Sequence, residues 1–124
     1  MYCIISYVGA VKKRMNTVIG IDIVDIIDVR NKINGSRLFL SKILSEQEIG
    51  QCSMESLAGK IAAKEAIMKT GFMKAGEWRN LIITTLDTGA PTVLDLNGVQ
   101  IHSIKISIAH TQKTAVAVAL YEKD

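Results

Sequence analysis

Two acidic residues lie in segments that are otherwise typical of a protein core. Asp22 interrupts the β-branched run TVIGIDIV at residues 17–24. Glu65 falls between Ile61 and Met68, on the apolar side of a helical pattern in which each residue advances by about 100°. Burying an unpaired carboxylate costs on the order of several kcal/mol. Each carboxyl group is therefore expected to be neutral, paired with a cation or bound to a metal ion.

The two carboxylates would repel each other if the fold brought them together, and a hard divalent cation would relieve that repulsion. Carboxylate oxygens are ligands that Mg²⁺ prefers, and Mg²⁺ commonly keeps water and substrate phosphates in the rest of its coordination shell. Asp22 and Glu65 are therefore the candidate metal ligands.

Simpler structural roles compete with this interpretation. Glu65 precedes Lys69 by four residues, which is the favoured orientation for a salt bridge along a helix. Asp22 could accept backbone hydrogen bonds or cap the helix that follows it. Lys60 and Lys64 are also four residues apart on α-helical spacing. Either an anion lies between them or they belong to a solvated face of the helix. The solvated face is the favoured prediction for Lys60.

A second group of polar residues follows a strand pattern near the C-terminus. His110 ends the alternating run SIKISIAH, and Thr111, Lys113 and Thr114 come directly after it. Such residues can hold a phosphate by charge and hydrogen bonds, although a histidine at a strand end is more often only part of a turn. Trp78 is predicted to be a hydrophobic anchor. The chain contains no GxGxxG, Walker A, HExxH or GxSxG motif.

The secondary-structure pattern indicates how these residues are positioned. Residues 17–24 are predicted to form a strand buried on both faces, followed by a short helix from Asp25 to about Lys32. Short helices are expected at residues 38–44 and 46–51. A long amphipathic helix should begin after an N-cap at Ser53, with Lys69 in its last turn and Gly71 after its end. Four β-rich runs occupy the last fifty residues, which predicts an α+β domain with the long helix packed on a small antiparallel sheet.

Composition limits the classes of function. The chain has 124 residues, 48% of them hydrophobic and 22% charged, as expected of one soluble domain, and it lacks the roughly 20 apolar residues of a membrane span. The net charge of +3 is accounted for by Lys12, Lys13 and Arg14, which argues against nucleic-acid binding. Two cysteines without a metal-binding pattern favour a cytoplasmic location. Residues 1–14 are interpreted as an extension of uncertain role, and residues 15–124 as a single domain.

Five segments resemble a known family, in the order in which that family carries them. They are GIDIV at 20–24, FLSKILSEQE at 39–48, LAGKIAAKEAIMKT at 57–70, TGAPTV at 88–93 and SIAHT at 107–111. Together they are similar to the holo-[acyl-carrier-protein] synthases, which are small 4'-phosphopantetheinyl transferases. The resemblance runs from about Thr17 to the end of the chain.

The resemblance implies a reaction and a role for each matching residue. Members of the family transfer phosphopantetheine from coenzyme A to a serine of an apo acyl carrier protein and release adenosine 3',5'-bisphosphate. Asp22 and Glu65 would bind magnesium, and Lys69 would act with Glu65 in catalysis near the diphosphate. The expected coenzyme A contacts are Lys64, Gly89, Pro91, His110 and Thr111. The family also implies a homotrimer with active sites at the subunit interfaces, in the cytoplasm and in fatty acid biosynthesis.

Two departures from the family pattern concern its partners. Asp28 stands where an arginine is usual in the first helix, which docks the acidic carrier, and Ala90 replaces a common lysine in the strand turn. Two other functions stay open: a noncatalytic module that binds coenzyme A or a carrier, and an acyl-CoA thioester hydrolase that needs no magnesium.

Overall fold

The computed structural model describes residues 5–8, 11–14, 16–50 and 52–123. Strands β1 (Ile5–Val8) and β2 (Val11–Arg14) pair antiparallel within the segment interpreted as an extension. The other residues of that segment, together with Met15 at the predicted start of the domain, lie outside the described residues.

Three strands form the main antiparallel sheet. They are β3 (Asn16–Asp25), β6 (Ile104–His110) and β7 (Thr114–Lys123), and β7 lies in the middle. The alternating alanines of β7 at positions 115, 117 and 119 are buried on the inner face. On the outer face of β3, Ile19, Ile21 and Ile23 are 57–66% exposed. The prediction that this strand is buried on both faces is therefore wrong for the single chain, because helices cover the sheet on one face only.

Strands β4 (Ile82–Thr85) and β5 (Pro91–Leu94) form a separate antiparallel pair. The four β-rich runs of the C-terminal half thus all form strands, but they are divided between two sheets. The connecting turn of this pair contains Gly89, whose φ of 90° lies in the left-handed region that favours glycine.

Four helices follow β3 in the chain. They are α1 (Ile26–Gly35), α2 (Phe39–Ile43), α3 (Glu46–Ile49) and α4 (Met54–Lys69). The predicted N-cap at Ser53 is confirmed, since its hydroxyl oxygen accepts a hydrogen bond from the backbone N–H of Ser56 at 3.1 Å. Helix α1 continues three residues beyond the predicted end at Lys32.

Helix α4 packs closely on the inner face of the main sheet. A Cβ atom at Gly20 of β3 would collide with the carbonyl oxygen of Ala66, so only glycine permits this approach of strand and helix. Small residues also line the helix side of the contact, at Ala62, Ala63 and Ala66. This close packing confirms the α+β arrangement, and it brings the two acidic side chains of β3 and α4 near each other. Within the described ranges, no helix is long and apolar enough to cross a membrane.

Candidate active site

Asp22 projects from β3 toward the last turn of α4. Its side chain is only 10% exposed, and its Oδ1 accepts a hydrogen bond from Lys69 Nζ at 2.9 Å. Its Oδ2 is buried and has no hydrogen-bond partner among the residues that the structure describes. A buried carboxylate oxygen without a partner is costly, which indicates that a further group belongs beside it.

Glu65 lies one turn before Lys69 on α4 and is half-buried. Burial, hydrogen bonding to Asp22 and the negative charge of Asp22 together raise its pKa to about 7, against the opposing charges of Lys32 and Lys69. The raised pKa means that Glu65 takes up a proton more readily than an ordinary glutamate when no cation is bound.

The two carboxyl groups fit a magnesium ion. They supply hard oxygen ligands, and the unpartnered Oδ2 of Asp22 is already free of hydrogen bonds. A cation bound by Asp22 and Glu65 would relieve the repulsion between the two carboxylates. No group of three or more acidic, cysteine or histidine side chains gathers within the described part of the chain. The remaining coordination positions would then fall to water and to ligand oxygens.

Lys69 pairs with Asp22 and not with Glu65. Its Nζ donates to the backbone oxygen of Ile21 and to Asp22 Oδ1, both at 2.9 Å. The simpler alternative of a helical Glu65–Lys69 salt bridge is therefore not the arrangement found. The Lys69 side chain is 56% exposed, so its ammonium can also meet an anion that approaches the two carboxyl groups.

A cavity of about 400 Å³ lies beside Glu65. Its walls come from β3, α1, the C-terminal end of α2, α4 and the segment that carries Trp78. Most of the lining is apolar, and Asp28 and Lys32 supply charge on the α1 side. Trp78 packs against the apolar cluster of α1 to α4, in agreement with its predicted role as an anchor. We name this space the Glu65 cavity.

A second and smaller cavity contains three of the predicted ligand-binding residues. Gly89, Pro91 and His110 line a space of about 160 Å³ together with Lys60, and we name it the His110 cavity. It shares no lining residue with the Glu65 cavity. Lys60 and Glu65 are offset by about 140° around the axis of α4. The two side chains therefore lie on different sides of the helix, and α4 lines both cavities.

Lys60 is a residue whose position the sequence pattern did not reveal. It was expected on a solvated face, but its Nζ donates to the backbone oxygen of Glu48 at 2.6 Å and lies 3.3 Å from Cys52 Sγ. The expectation of a solvated Lys60 is wrong, because the segment between α3 and α4 folds back over this side of the helix. A lysine beside His110 makes the smaller cavity suitable for an anion.

Thr111 takes part in the turn after His110. Its Oγ1 accepts hydrogen bonds from the backbone N–H groups of Lys113 and Thr114, both at 3.1 Å. His110 Nδ1 is 3.3 Å from the backbone oxygen of Thr111. Both oxygen lone pairs of Thr111 are therefore used locally, and its hydroxyl hydrogen is what could be donated to a ligand.

The structure contradicts the prediction that Lys64 binds a ligand. Its side chain is fully buried, and its Nζ donates to Glu48 Oε1 at 2.7 Å, to Ile43 O at 3.0 Å and to Trp78 O at 2.6 Å. Burial lowers the pKa of Lys64, while its hydrogen bond to Glu48 opposes that shift. An ammonium has three protons, so none remains for an anion outside the protein.

Comparison with known sequences identifies relatives over most of the chain. The sequence profile of the 4'-phosphopantetheinyl transferase superfamily matches residues 18–120. A holo-[acyl-carrier-protein] synthase from Chlorobaculum tepidum is 37% identical over 113 residues, covering 84% of this chain and 97% of the relative. A protein of the same name from Pelodictyon phaeoclathratiforme is 38% identical over 116 residues, with coverage of 84% and 97%.

Solved structures give the same grouping. A holo-(acyl-carrier-protein) synthase from Bacillus anthracis in complex with CoA (3',5'-ADP) superimposes with a TM-score of 0.73 and 25% identity, over 89% of this chain and 99% of that one. The holo-[acyl-carrier-protein] synthase of Helicobacter pylori in complex with coenzyme A gives a TM-score of 0.71 and 30% identity, with coverage of 85% and 99%.

Proposed function

This chain belongs to the 4'-phosphopantetheinyl transferase superfamily and is an enzyme of the holo-[acyl-carrier-protein] synthase type, and on that premise we propose its reaction. It transfers 4'-phosphopantetheine from coenzyme A to a serine of an apo acyl carrier protein and releases adenosine 3',5'-bisphosphate. The observation that carries the proposal is the proximity of the carboxyl groups of Asp22 and Glu65, with a buried Asp22 oxygen that has no partner among the described residues.

The chemistry is an in-line phosphoryl transfer. The carrier serine oxygen forms a bond to the phosphorus that bears the pantetheine arm, and the bond from that phosphorus to the bridging oxygen breaks. Magnesium held by Asp22 and Glu65 would supply positive charge for the diphosphate. Lys69 adds a second positive charge from its position against Asp22. The serine proton passes to Glu65 or to water.

The His110 cavity is the proposed site for the other end of coenzyme A. Lys60 and His110 supply cationic and hydrogen-bonding groups for a phosphate, and the turn at Gly89 and Pro91 forms an adjoining wall. Thr111 adds a hydroxyl donor next to His110. Lys64 is omitted from this set because its protons are all used inside the protein. Support comes from the relatives that were solved with coenzyme A bound.

The exposed sheet face supports self-assembly into a homotrimer with active sites at the subunit interfaces. The outward side chains of β3 at Ile19, Ile21 and Ile23 form a contiguous apolar row. The neighbouring outward residues of β7, Val116 and Val118, are apolar and half-buried. A large exposed apolar patch marks an interaction surface, and a flat strand face of this kind suits copies of the same chain.

The carrier is proposed to dock on α1, beside the Glu65 cavity. Arg30 and Lys32 are exposed there, and Ile27 is 56% exposed. This combination suits an acidic partner with an apolar contact patch. We propose that the enzyme acts in fatty acid biosynthesis and lipid metabolism, in the cytoplasm.

Residues 15–124 are proposed to form the complete catalytic domain, with residues 1–14 as an extension. Among the residues whose side chains the structure describes, those that line the two cavities lie between residues 23 and 110. A chain that begins at Met15 should therefore be soluble and should transfer phosphopantetheine at the rate of the full chain. An insoluble or inactive product would contradict this division.

Intact-protein mass spectrometry tests the reaction. An apo acyl carrier protein is incubated with coenzyme A and the enzyme, with magnesium and then with excess chelator. We expect the carrier to gain one phosphopantetheine only when magnesium is present, and the Asp22→Ala and Glu65→Ala variants to lose the gain while remaining folded. Glu46→Ala is the matched control, because Glu46 is an exposed carboxylate in the first turn of α3.

Four results would argue against the proposal. Full activity in either the Asp22→Ala or the Glu65→Ala variant would refute the metal site. Transfer that persists in chelator would refute the role of magnesium. Hydrolysis of an acyl-CoA without any carrier modification would favour the thioester hydrolase instead, and no modification across a panel of carriers would favour a binding module.

A further inference from the structure

The residue directly before Glu65 belongs to a buried ionic cluster that the transfer reaction itself does not use. Lys64 and Glu48 are both 0% exposed, and their side chains form an ion pair with 2.7 Å between Nζ and Oε1. Glu48 Oε1 also accepts the backbone N–H of Ser45 at 2.9 Å, and Oε2 accepts that of Ile83 at 2.8 Å. We name these two side chains the Lys64–Glu48 pair.

The pair connects several separate segments of the fold. Through its four further hydrogen-bond partners, the pair reaches the end of α2, the N-cap of α3, the segment before β4, and β4 itself. Replacing a buried ion pair by apolar groups is often neutral for stability or even favourable. The net stability that the pair contributes is therefore a weak explanation for its presence, and the geometry that it imposes is a stronger one.

Two of the connected segments form walls of the Glu65 cavity. Ile43 and Trp78 both line that cavity, and the backbone oxygens of both accept hydrogen bonds from Lys64 Nζ. The same ammonium is carried by the residue adjacent to Glu65. One buried group thus fixes the rotation of α4 at Glu65 and the distance to the opposite walls of the cavity.

We propose that the Lys64–Glu48 pair is a positioning device for phosphopantetheine transfer, which holds the Ile43 and Trp78 walls at the distance from Glu65 that the reaction requires. The expected change in kcat rests on the proposed function. The expected change in the position of Trp78 does not depend on catalysis. A small misplacement of reacting groups lowers a rate by up to about 100-fold, so loss of the pair should lower kcat. The pair also holds the backbone of Ile83, which lines the His110 cavity, so KM for coenzyme A is expected to change as well.

The test compares Lys64→Met, Glu48→Gln, the double variant and Lys64→Arg. The Lys64→Met variant leaves a buried carboxylate unpaired and should unfold at a much lower temperature. The double variant removes both charges with little change of volume. Its Tm should therefore lie much closer to that of the parent than the Tm of Lys64→Met does. In the folded double variant we expect kcat to fall roughly 10- to 100-fold. Lys64→Arg keeps the charge and should retain more activity than the double variant.

Fluorescence provides a readout that does not require activity. Trp78 is the single tryptophan of the chain, so its emission reports directly on the cavity wall. In the double variant the emission maximum should move to longer wavelength, and acrylamide quenching should increase about twofold. Ile104→Val is the control for destabilisation alone, because Ile104 is buried in the core cluster that does not include Trp78 and takes part in none of the pair's hydrogen bonds. It should change neither kcat nor the emission at temperatures below its Tm.

A double variant with unchanged emission and unchanged kcat would overturn the inference, and so would a loss of kcat that Ile104→Val reproduces at equal Tm. If the parent enzyme transfers nothing to any carrier, the proposed function fails, and an unchanged Trp78 emission in the double variant would then separately overturn the positioning role.

Discussion

Lys69 Nζ lies 2.9 Å from Asp22 Oδ1 and thereby joins the last turn of α4 to the middle of β3. The contact neutralises one oxygen of Asp22 and leaves the other oxygen, which is buried, directed toward the space beside Glu65. Two carboxyl groups and one ammonium group therefore meet at a single point of the fold, although Asp22 and Lys69 are 47 residues apart in the chain.

Replacing Lys69 with methionine should reduce transfer without unfolding the protein. The Lys69 side chain is 56% exposed, but Asp22 is only 10% exposed and would lose the donor on its Oδ1. We therefore expect a loss of about 1–3 kcal/mol of stability in a protein that still folds. The lost charge should lower kcat/KM for coenzyme A by about 100-fold, as loss of one electrostatic group at a reacting centre does. Steady-state kinetics check this, with Lys74→Met as the control at an exposed lysine beyond the helix. Equal kinetics in both variants would remove Lys69 from the site.

The raised pKa of Glu65 predicts how the stability of the metal-free protein depends on pH. The folded state binds a proton at Glu65 up to about pH 7, whereas the unfolded state loses it near 4.5. The native state therefore holds more protons in this window, and this group lowers the stability progressively as the pH rises through it. Glu65→Gln stays neutral, so its Tm relative to that of the parent should increase from pH 5 to pH 8.

Magnesium should offset this loss of stability at high pH in the parent protein. It binds the folded state and should raise the Tm of the parent at pH 8, with a smaller increase for Glu65→Gln. Differential scanning fluorimetry with and without magnesium measures both effects. A constant difference in Tm between variant and parent across the pH range would mean that Glu65 titrates normally.

Changing Asp28 to arginine should strengthen docking on an acidic carrier. Asp28 is exposed in the first turn of α1, at the edge of the Glu65 cavity, and the substitution removes a repulsive charge there. Electrostatic steering of this kind raises the association rate and weakens as salt increases. Glu46→Arg makes the same change in net charge on α3 and serves as the control. Carrier affinity that is equal in both variants at low and high salt would place docking elsewhere.

Gly20 should tolerate no side chain, because of its contact with α4. A Cβ there would collide with the backbone oxygen of Ala66, which cannot move without shifting the helix. Gly20→Ala should therefore lower the free energy of unfolding by about 1–3 kcal/mol or more, and transfer should fall because Glu65 moves with α4. Gly35→Ala is the matched control, since a Cβ at Gly35 meets no atom within 4 Å. Chemical denaturation of both variants provides the comparison.

A charge at Ile21 should disrupt the proposed trimer. Ile21 is 57% exposed in the middle of the outer face of β3, and a buried lysine in a subunit interface would be strongly unfavourable. Sedimentation velocity should show smaller species for Ile21→Lys than for the parent. Ile27→Lys is the control, because Ile27 is 56% exposed on α1, and it should sediment like the parent. A parent that sediments as a monomer would disprove the assembly.

Local chemistry explains which features could be read from the sequence. The N-cap at Ser53, the four C-terminal β-rich runs and the place of Glu65 on the inner side of its helix depend on periodicity and on residues a few positions apart. These signals act within one element, so they are present before the chain folds. The same local signals also identified Asp22 and Glu65 as unusual for their segments.

Tertiary structure decided what those residues contact. Lys64 and Lys60 look alike in the sequence, yet one is fully buried against Glu48 and the other reaches the backbone of Glu48 from the rim of the His110 cavity. Lys69 pairs with Asp22 instead of its helical neighbour Glu65. The partner of a charged side chain depends on which distant backbone and carboxyl groups the packed helices and strands bring within about 3 Å, and no pattern within one element contains that distance.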